Sequence, residues 1–150
     1  MVSDVILLDA GPLGLLCHPK PSALVAGCRQ WAASLNAAGR RIIVPEITDY
    51  EVRRELLRAK KLRGIALLDR LAHQLEYLPL STTAMRKAAE LWSLARQQGM
   101  PTAPDHALDG DVILAAQALT VGVPNIVVAT TNVGHLTRFV PADHWNNIQP

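Results

Sequence analysis

The sequence predicts a three-layer α/β/α domain with a central, mainly parallel sheet of four to five strands. Short, continuous apolar runs, which are typical of strands buried on both faces of a sheet, are one basis for this fold class. Stretches with apolar residues at helical spacing separate these runs, which is the pattern of a parallel α/β domain. The 150 residues contain no internal repeat and no linker-like tract, so we expect a single domain over 1–150.

Each predicted element follows from a local pattern. Strands are predicted at the apolar runs 5–8, 42–44, 77–80 and 125–129, with a last strand near 147–148. The first run ends at Asp9, before the turn signal formed by Gly11 and Pro12. Capping residues and helical spacing predict helices over 21–38, 46–60, 62–75, 81–95 and 109–120. Residues 99–104 are predicted to be a loop and 133–138 a short element.

Composition narrows the class of protein. No apolar run is long enough to span a bilayer, and no basic segment precedes the first apolar run as it would in a signal peptide. We therefore expect a soluble, cytoplasmic protein with no membrane partner. Cys17 and Cys28 lack metal-ligand spacing, which favours reduced, structural cysteines.

Charge is distributed unevenly, although the net charge is only +2. Residues 53–70 contain seven basic side chains and two acidic ones, whereas residues 101–150 contain four acidic side chains and one arginine. A basic flank beside an acidic pole suits an enzyme that holds a polyanion and binds cations. A solvated helix with internal ion pairs is the alternative explanation of the basic segment, and charge alone favours that alternative.

Four carboxylates are predicted to meet at the carboxyl edge of the sheet, where parallel α/β proteins place their sites. They are Asp9, Glu51, Asp109 and Asp111. Each also has a structural explanation: a turn cap for Asp9, an ion pair for Glu51, an N-cap for Asp109 and a helix-dipole partner for Asp111. Crowded carboxylates repel unless they bind protons or metal, and oxygen ligands suit Mg²⁺ or Mn²⁺. Such ions promote phosphodiester cleavage.

The order of four motifs resembles the PIN-domain family, and within it the VapC-like toxins. The motifs are ILLDAGPLG, VPEITDYEVRREL, LDGDVILAAQAL and VVATTNVGHL, and together they extend over nearly the whole chain. The resemblance implies a Mg²⁺- or Mn²⁺-dependent endoribonuclease that cleaves RNA. It also implies a small antitoxin protein as partner and, as in many relatives, a homodimer.

Carried over by residue, the resemblance makes Asp9, Glu51 and Asp111 metal ligands, with Asp109 as a further ligand or water holder. Many relatives have another acid after the fourth strand, where this chain has Asn132. The number of metals therefore stays open, with Asp109 as the replacement for the missing charge.

Residues outside this set receive secondary predictions. Glu46 and Asp49 are the fallback candidates for the second acid. Thr131 and Asn132 are expected to support the site by hydrogen bonding. The arginines Arg53 and Arg54 are expected to position the phosphate backbone, and an antitoxin contact explains them equally.

Two other functions are kept as alternatives. The first is a catalytically weak binding module that acts through a protein or RNA partner, because Asn132 replaces an acid. The second is a phosphatase of the haloacid-dehalogenase type, which also uses an Asp at a strand end. That class expects a second Asp two residues later, where this chain has Gly11.

Overall fold

The computed structural model describes residues 3–100, 109–134 and 136–150. It contains one five-stranded sheet with the order β3-β2-β1-β4-β5, in which every pair of neighbours is parallel. The strands are β1 (Val5–Leu8), β2 (Arg41–Pro45), β3 (Glu76–Leu78), β4 (Ile126–Thr130) and β5 (Ala142–His144). The helices are α1 (Ala10–Leu16), α2 (Ala23–Ala37), α3 (Glu46–Arg58), α4 (Leu62–Gln74), α5 (Thr82–Gln97) and α6 (Gly110–Thr120). Short 3₁₀ turns cover Leu136–Arg138 and Trp145–Asn147.

The apolar core lies on both faces of this sheet, as three layers require. All four residues of β1 are fully buried, two on each face. One face packs against α1, α2 and α4, and the other packs against α5 and α6. Helix α3 contributes to both faces, because Ile47 joins one apolar cluster and Val52 joins the other. This position at the margin of the sheet brings α3 beside the carboxyl ends of the strands.

The predicted fold class is confirmed, and two predicted elements are wrong. Gly11 and Pro12 do not form a turn but lie in the first turn of α1, which Asp9 caps. Pro12 is the third residue of that helix, where a missing N–H breaks no intrahelical hydrogen bond. The last strand is β5 at 142–144 rather than at 147–148, because Ala-Asp-His has no apolar run to reveal it.

The other elements agree with their predictions to within a few residues. Cys17 and Cys28 are buried free thiols, and burial raises their pKa values to about 11 and about 12. Of the loop predicted at 99–104, residues 101–104 lie outside the described residues. Within the described ranges, no helix is long and apolar enough to cross a bilayer.

Candidate functional site

Asp9 is held from two directions at the end of β1. Its Oδ1 accepts a hydrogen bond of 2.7 Å from the backbone N–H of Ala10, at the start of α1. Its Oδ2 accepts one of 2.8 Å from the hydroxyl of Thr130, the last residue of β4. Asp9 is therefore the N-cap of a helix, and not the cap of a turn at Gly11 and Pro12 that the structural explanation predicted. Since each carboxylate oxygen has two lone pairs, these hydrogen bonds do not prevent it from binding a cation.

Thr130 is a positioning residue that the sequence reasoning missed. It is 1% exposed, and its Oγ1 also accepts a 3.0 Å hydrogen bond from the backbone N–H of Asn132. The parallel register pairs Leu8 with Ala129, so the next residues of the two strands, Asp9 and Thr130, lie side by side. The sequence did offer a signal for this role, namely a hydroxyl residue at the end of a buried strand that lies beside the strand ending in an aspartate.

Thr131 and Asn132 continue from β4 as exposed residues. The side chain of Thr131 lies over Gly11, where an added Cβ would be 2.4 Å from Oγ1 of Thr131. A second aspartate at position 11, as the phosphatase alternative requires, would therefore collide with Thr131. Asn132 Oδ1 accepts a 3.1 Å hydrogen bond from Gly134 N–H, which orders the loop after β4.

Glu51 lies against the first turn of α6. An added Cβ at Gly110 would be 2.8 Å from Oε1 of Glu51 and 3.0 Å from Oε2, so the carboxylate lies in the space that a side chain at position 110 would need. Burial raises the pKa of Glu51, and the negative charges of Asp9, Asp111 and Asp109 raise it further. The aspartate charges at the end of β1 and at the start of α6 therefore act on the Glu51 carboxylate.

The two late aspartates flank Gly110. Asp109 is 6% exposed and caps α6, because its Oδ1 accepts a 3.2 Å hydrogen bond from the backbone N–H of Val112. Asp111 lies in the first turn of the helix and is partly exposed. The predicted structural roles of both residues are therefore real, and the same positions place both charges beside Glu51.

The donor chemistry of this cluster suits a hard divalent cation. Its side chains offer oxygen atoms alone, which Mg²⁺ and Mn²⁺ prefer. The raised pKa of Glu51 means that its negative charge lacks full compensation, which a cation would supply. Within the described residues, however, no three His, Cys, Asp or Glu side chains are already placed to hold one ion. The cluster matches the metal in chemistry, and ligation requires side-chain adjustment.

The two arginines predicted to position substrate have different surroundings. Arg53 donates to Asp49 at 2.9 Å and to Asp69 at 2.8 Å, so it connects α3 with α4. Arg54 is exposed, and its guanidinium carbon lies 5.2 Å from the ring centroid of Tyr50. The positive charge of Arg54 also lowers the pKa of Glu51, which places that charge near the carboxylates.

The fallback acids serve other parts of the fold. Glu46 Oε1 accepts a 2.7 Å hydrogen bond from the backbone N–H of Leu80. Asp49 Oδ2 accepts one of 2.7 Å from the hydroxyl of Tyr77, and its Oδ1 pairs with Arg53. Both acids therefore fasten α3 to β3 and the segment after it. Neither is among the charges that shift the pKa of Glu51.

Comparison with known proteins identifies the fold. No protein-family model and no curated protein sequence match the chain. Solved structures do match. One is a chain of VapBC2 from Rickettsia felis, bound to a DNA fragment from the promoter, with a TM-score of 0.70 and 18% sequence identity. The match covers 94% of this chain and 98% of that chain. A chain of VapBC-1 from nontypeable Haemophilus influenzae has a TM-score of 0.67 and 17% identity over 95% and 98%.

DNA-bound VapBC from Salmonella typhimurium provides a third match, with a TM-score of 0.66 and 22% identity over 97% of this chain and 99% of that one. At these identities the likeness shows the fold, which is PIN-like. It extends over almost the full length of each matched chain. The chemistry of this chain has to be argued from its own residues.

Proposed function

We propose that the protein is a metal-dependent endoribonuclease. The observation that carries this proposal is the cluster of carboxylates from the end of β1, from α3 and from the start of α6, which offers oxygen ligands at the carboxyl edge of a parallel sheet. The PIN-like fold adds support, and three of the four motifs that resemble this family contain the clustered carboxylates.

In this proposal Asp9, Glu51 and Asp111 hold Mg²⁺ or Mn²⁺, and Asp109 is a further ligand or holds a water. The ion, when bound, activates water and stabilises charge on the phosphate and the leaving oxygen. Thr130 keeps the Asp9 carboxylate in one orientation through its 2.8 Å hydrogen bond.

Cations near the carboxylates complete the proposed site. The charge of Arg54 attracts the phosphate backbone toward the cluster, a contact that positions RNA without reading its sequence. Arg53 would have to leave its two aspartate partners to do the same. We therefore assign backbone positioning to Arg54 ahead of Arg53. Thr131 and Asn132 are exposed beside Asp9 and supply hydrogen-bonding groups.

We further propose that the protein is the toxin of a type II toxin–antitoxin pair and acts in the cytoplasm. Support comes from the matched structures, each of which is a VapBC complex, and from coverage of at least 94% of this chain in all three. The expected partner is a small antitoxin encoded beside this gene. Co-expression should relieve growth inhibition if the pairing is right, and inhibition that no neighbouring product relieves would contradict it.

The test of the nuclease proposal is cleavage of a mixed RNA panel with Mg²⁺ or Mn²⁺, with and without EDTA. Asp9→Asn and Asp111→Asn should each abolish cleavage because they remove charge from the cluster with little change in shape. Glu76→Gln is the matched control, since Glu76 pairs with Arg41 on the surface. A cleavage rate that is unchanged by EDTA and by both aspartate substitutions would overturn the proposal.

A binding module with weak catalysis is the second candidate. Asn132 favours it, because this residue contributes no charge where many relatives have an acid, and its Oδ1 is engaged with Gly134. Calorimetric titration with Mn²⁺ separates the two candidates. The enzyme should release or take up heat on binding the ion, whereas a vestigial site should give no saturable signal.

A further inference from the structure

A groove of about 390 Å³ begins beside the carboxylate cluster and runs along α3. Glu51 and Ala10 line its inner end, so the groove is continuous with the proposed site. Arg58 and Lys61 line its outer end. Seven residues separate Glu51 from Arg58, which corresponds to about 10 Å along a helix axis.

The floor of the groove is apolar and one side carries an imidazole. Gly14, Cys17, Val52 and Leu56 form the floor, between α1 and α3. His18 lines the side, and the carbonyl of this residue accepts a 2.7 Å hydrogen bond from Arg29. An apolar floor beside a flat ring suits a nucleobase, since single-stranded RNA is recognised by splayed bases that stack on aromatic rings, histidine included.

The outer rim is basic. Lys20 and Lys61 line it with exposed side chains, and neither forms an ion pair with any described residue. Arg58 is the third cation and pairs with Glu55 at 2.8 Å, with both side chains more than half exposed. Exposed pairs of this kind contribute about 0–1 kcal/mol, so phosphate can compete for the arginine.

The carboxyl-terminal end of α3 adds a second basic feature at this rim. Lys60 has a φ of 55° in the position after the helix cap, where glycine is the usual residue. The backbone N–H groups of Lys60 and Lys61 donate to the carbonyls of Leu57 and Leu56, which completes a Schellman motif. A lysine in this conformation costs stability that glycine would not, and it adds a positive charge next to Lys61.

We propose that this groove binds the single-stranded RNA segment next to the cleaved phosphodiester, with a base on the apolar floor and phosphates on Lys20, Arg58 and Lys61. The proposal rests on the nuclease function and extends it from the reacting phosphate to the neighbouring nucleotides. Charge complementarity favours RNA as the occupant, because the rim cations match a phosphate backbone that must also reach the carboxylates. An apolar or acidic segment of a protein partner would gain nothing from continuity with the acidic cluster.

The test measures binding, so its outcome does not depend on catalysis. The probe is a twelve-nucleotide, fluorescein-labelled single-stranded RNA of random sequence, titrated in EDTA at several salt concentrations and followed by anisotropy. The duplex of the same length is the comparison probe. The groove variants are Gly14→Phe and the pair Lys20→Gln with Lys61→Gln. Their controls are Gly27→Phe on α2 and Lys87→Gln on α5, since neither residue lines the groove.

Gly14→Phe adds bulk to the groove from a position where an added Cβ meets no atom within 4 Å. It should weaken binding of the single strand at least tenfold, whereas Gly27→Phe, whose added Cβ is 4.0 Å from the nearest atom of Trp145, should not. Each lysine lost should lower the slope of log K against log[salt] by about 0.7, which at 0.1 M salt is about fivefold in affinity. Circular dichroism checks that every variant is folded.

If both groove variants bind single-stranded RNA with the wild-type affinity and the wild-type slope of log K against log[salt], the proposal is overturned. The expected occupant of the groove is then a protein partner. An equal loss of single-strand and duplex binding would also overturn it, because only an unpaired base can lie on the apolar floor. Failure of the nuclease function gives a different result, namely RNA that binds in the groove and is not cut in Mg²⁺ or Mn²⁺.

Discussion

Gly110→Ala tests whether the position of the Glu51 carboxylate matters for function. The added Cβ would be 2.8 Å from Oε1, 2.9 Å from Cδ and 3.0 Å from Oε2. Ordinary van der Waals contact begins near 3.4 Å, so the carboxylate must move by at least 0.6 Å, the difference between 3.4 and 2.8 Å. Glu51 can make this movement, because its carboxylate is the end of a flexible side chain.

Stability and activity should therefore separate in this variant. Gly110 is the first residue of α6, where the preference for alanine is smaller than the roughly 0.8–1.0 kcal/mol of a helix interior, so the stability of the folded state should change little. A misplacement of about 1 Å can cost roughly a hundredfold in rate, so a shift of this size should lower the rate by about tenfold or more.

The assay is RNA cleavage at saturating Mn²⁺, with urea denaturation of the same samples. Gly27→Ala is the control, because it makes the same chemical change in helix α2, outside the groove, and its added Cβ would be 4.0 Å from the nearest atom of Trp145. Wild-type cleavage by Gly110→Ala would refute the reasoning, since it would mean that Glu51 can leave its place without consequence.

Three further predictions concern single residues. Thr130→Val removes the hydroxyl that donates to Asp9, so urea denaturation should show a loss of about 1.5–3 kcal/mol, which Thr130→Ser should largely avoid. In EDTA, burial and then the Asp9 charge raise the pKa of Glu51 above 4.5, so the folded state binds this proton more tightly than the unfolded state. Protonation of Glu51 should therefore stabilise the metal-free protein as the pH falls from neutral toward 4.5, and this contribution is lost as the pH rises through the folded-state pKa. If Glu51→Gln does not flatten the dependence of the unfolding free energy on pH, this prediction is contradicted. Lys60→Gly should raise the unfolding free energy by about 1 kcal/mol, because it relieves a φ of 55°, and an unchanged urea midpoint would count against strain there.

The sheet was predictable because its central strands are buried on both faces. Val5–Leu8 and the apolar part of Ile126–Thr130 are continuous runs that only a covered parallel sheet explains well. β5 escaped prediction because Ala-Asp-His is half-buried at the sheet edge and has no apolar pattern. Helix α1 escaped because a Gly-Pro pair signals a turn in sequence, although proline is compatible with a first helical turn.

The site was predictable where a residue type identifies its own chemistry. Asp9, Asp109 and Asp111 are acids at predicted element ends, and Glu51 lies about one and a half turns into a predicted helix, so their expected convergence followed from topology. The supporting contacts were not visible in the same way, because they depend on distances between elements. Examples are the close approach of Glu51 to Gly110 and the aspartate pairs that hold Arg53.

The most direct test of the central claim compares metal binding and RNA cleavage in the same preparation. Protein stripped with EDTA is dialysed free of chelator, titrated with Mn²⁺ in the calorimeter and assayed for cleavage at each step. If the carboxylates form one functional cation site, the cleavage rate should rise in parallel with Mn²⁺ occupancy, and Asp9→Asn should weaken both. Full cleavage before any Mn²⁺ is added, or saturable Mn²⁺ binding that leaves cleavage unchanged, would contradict the account.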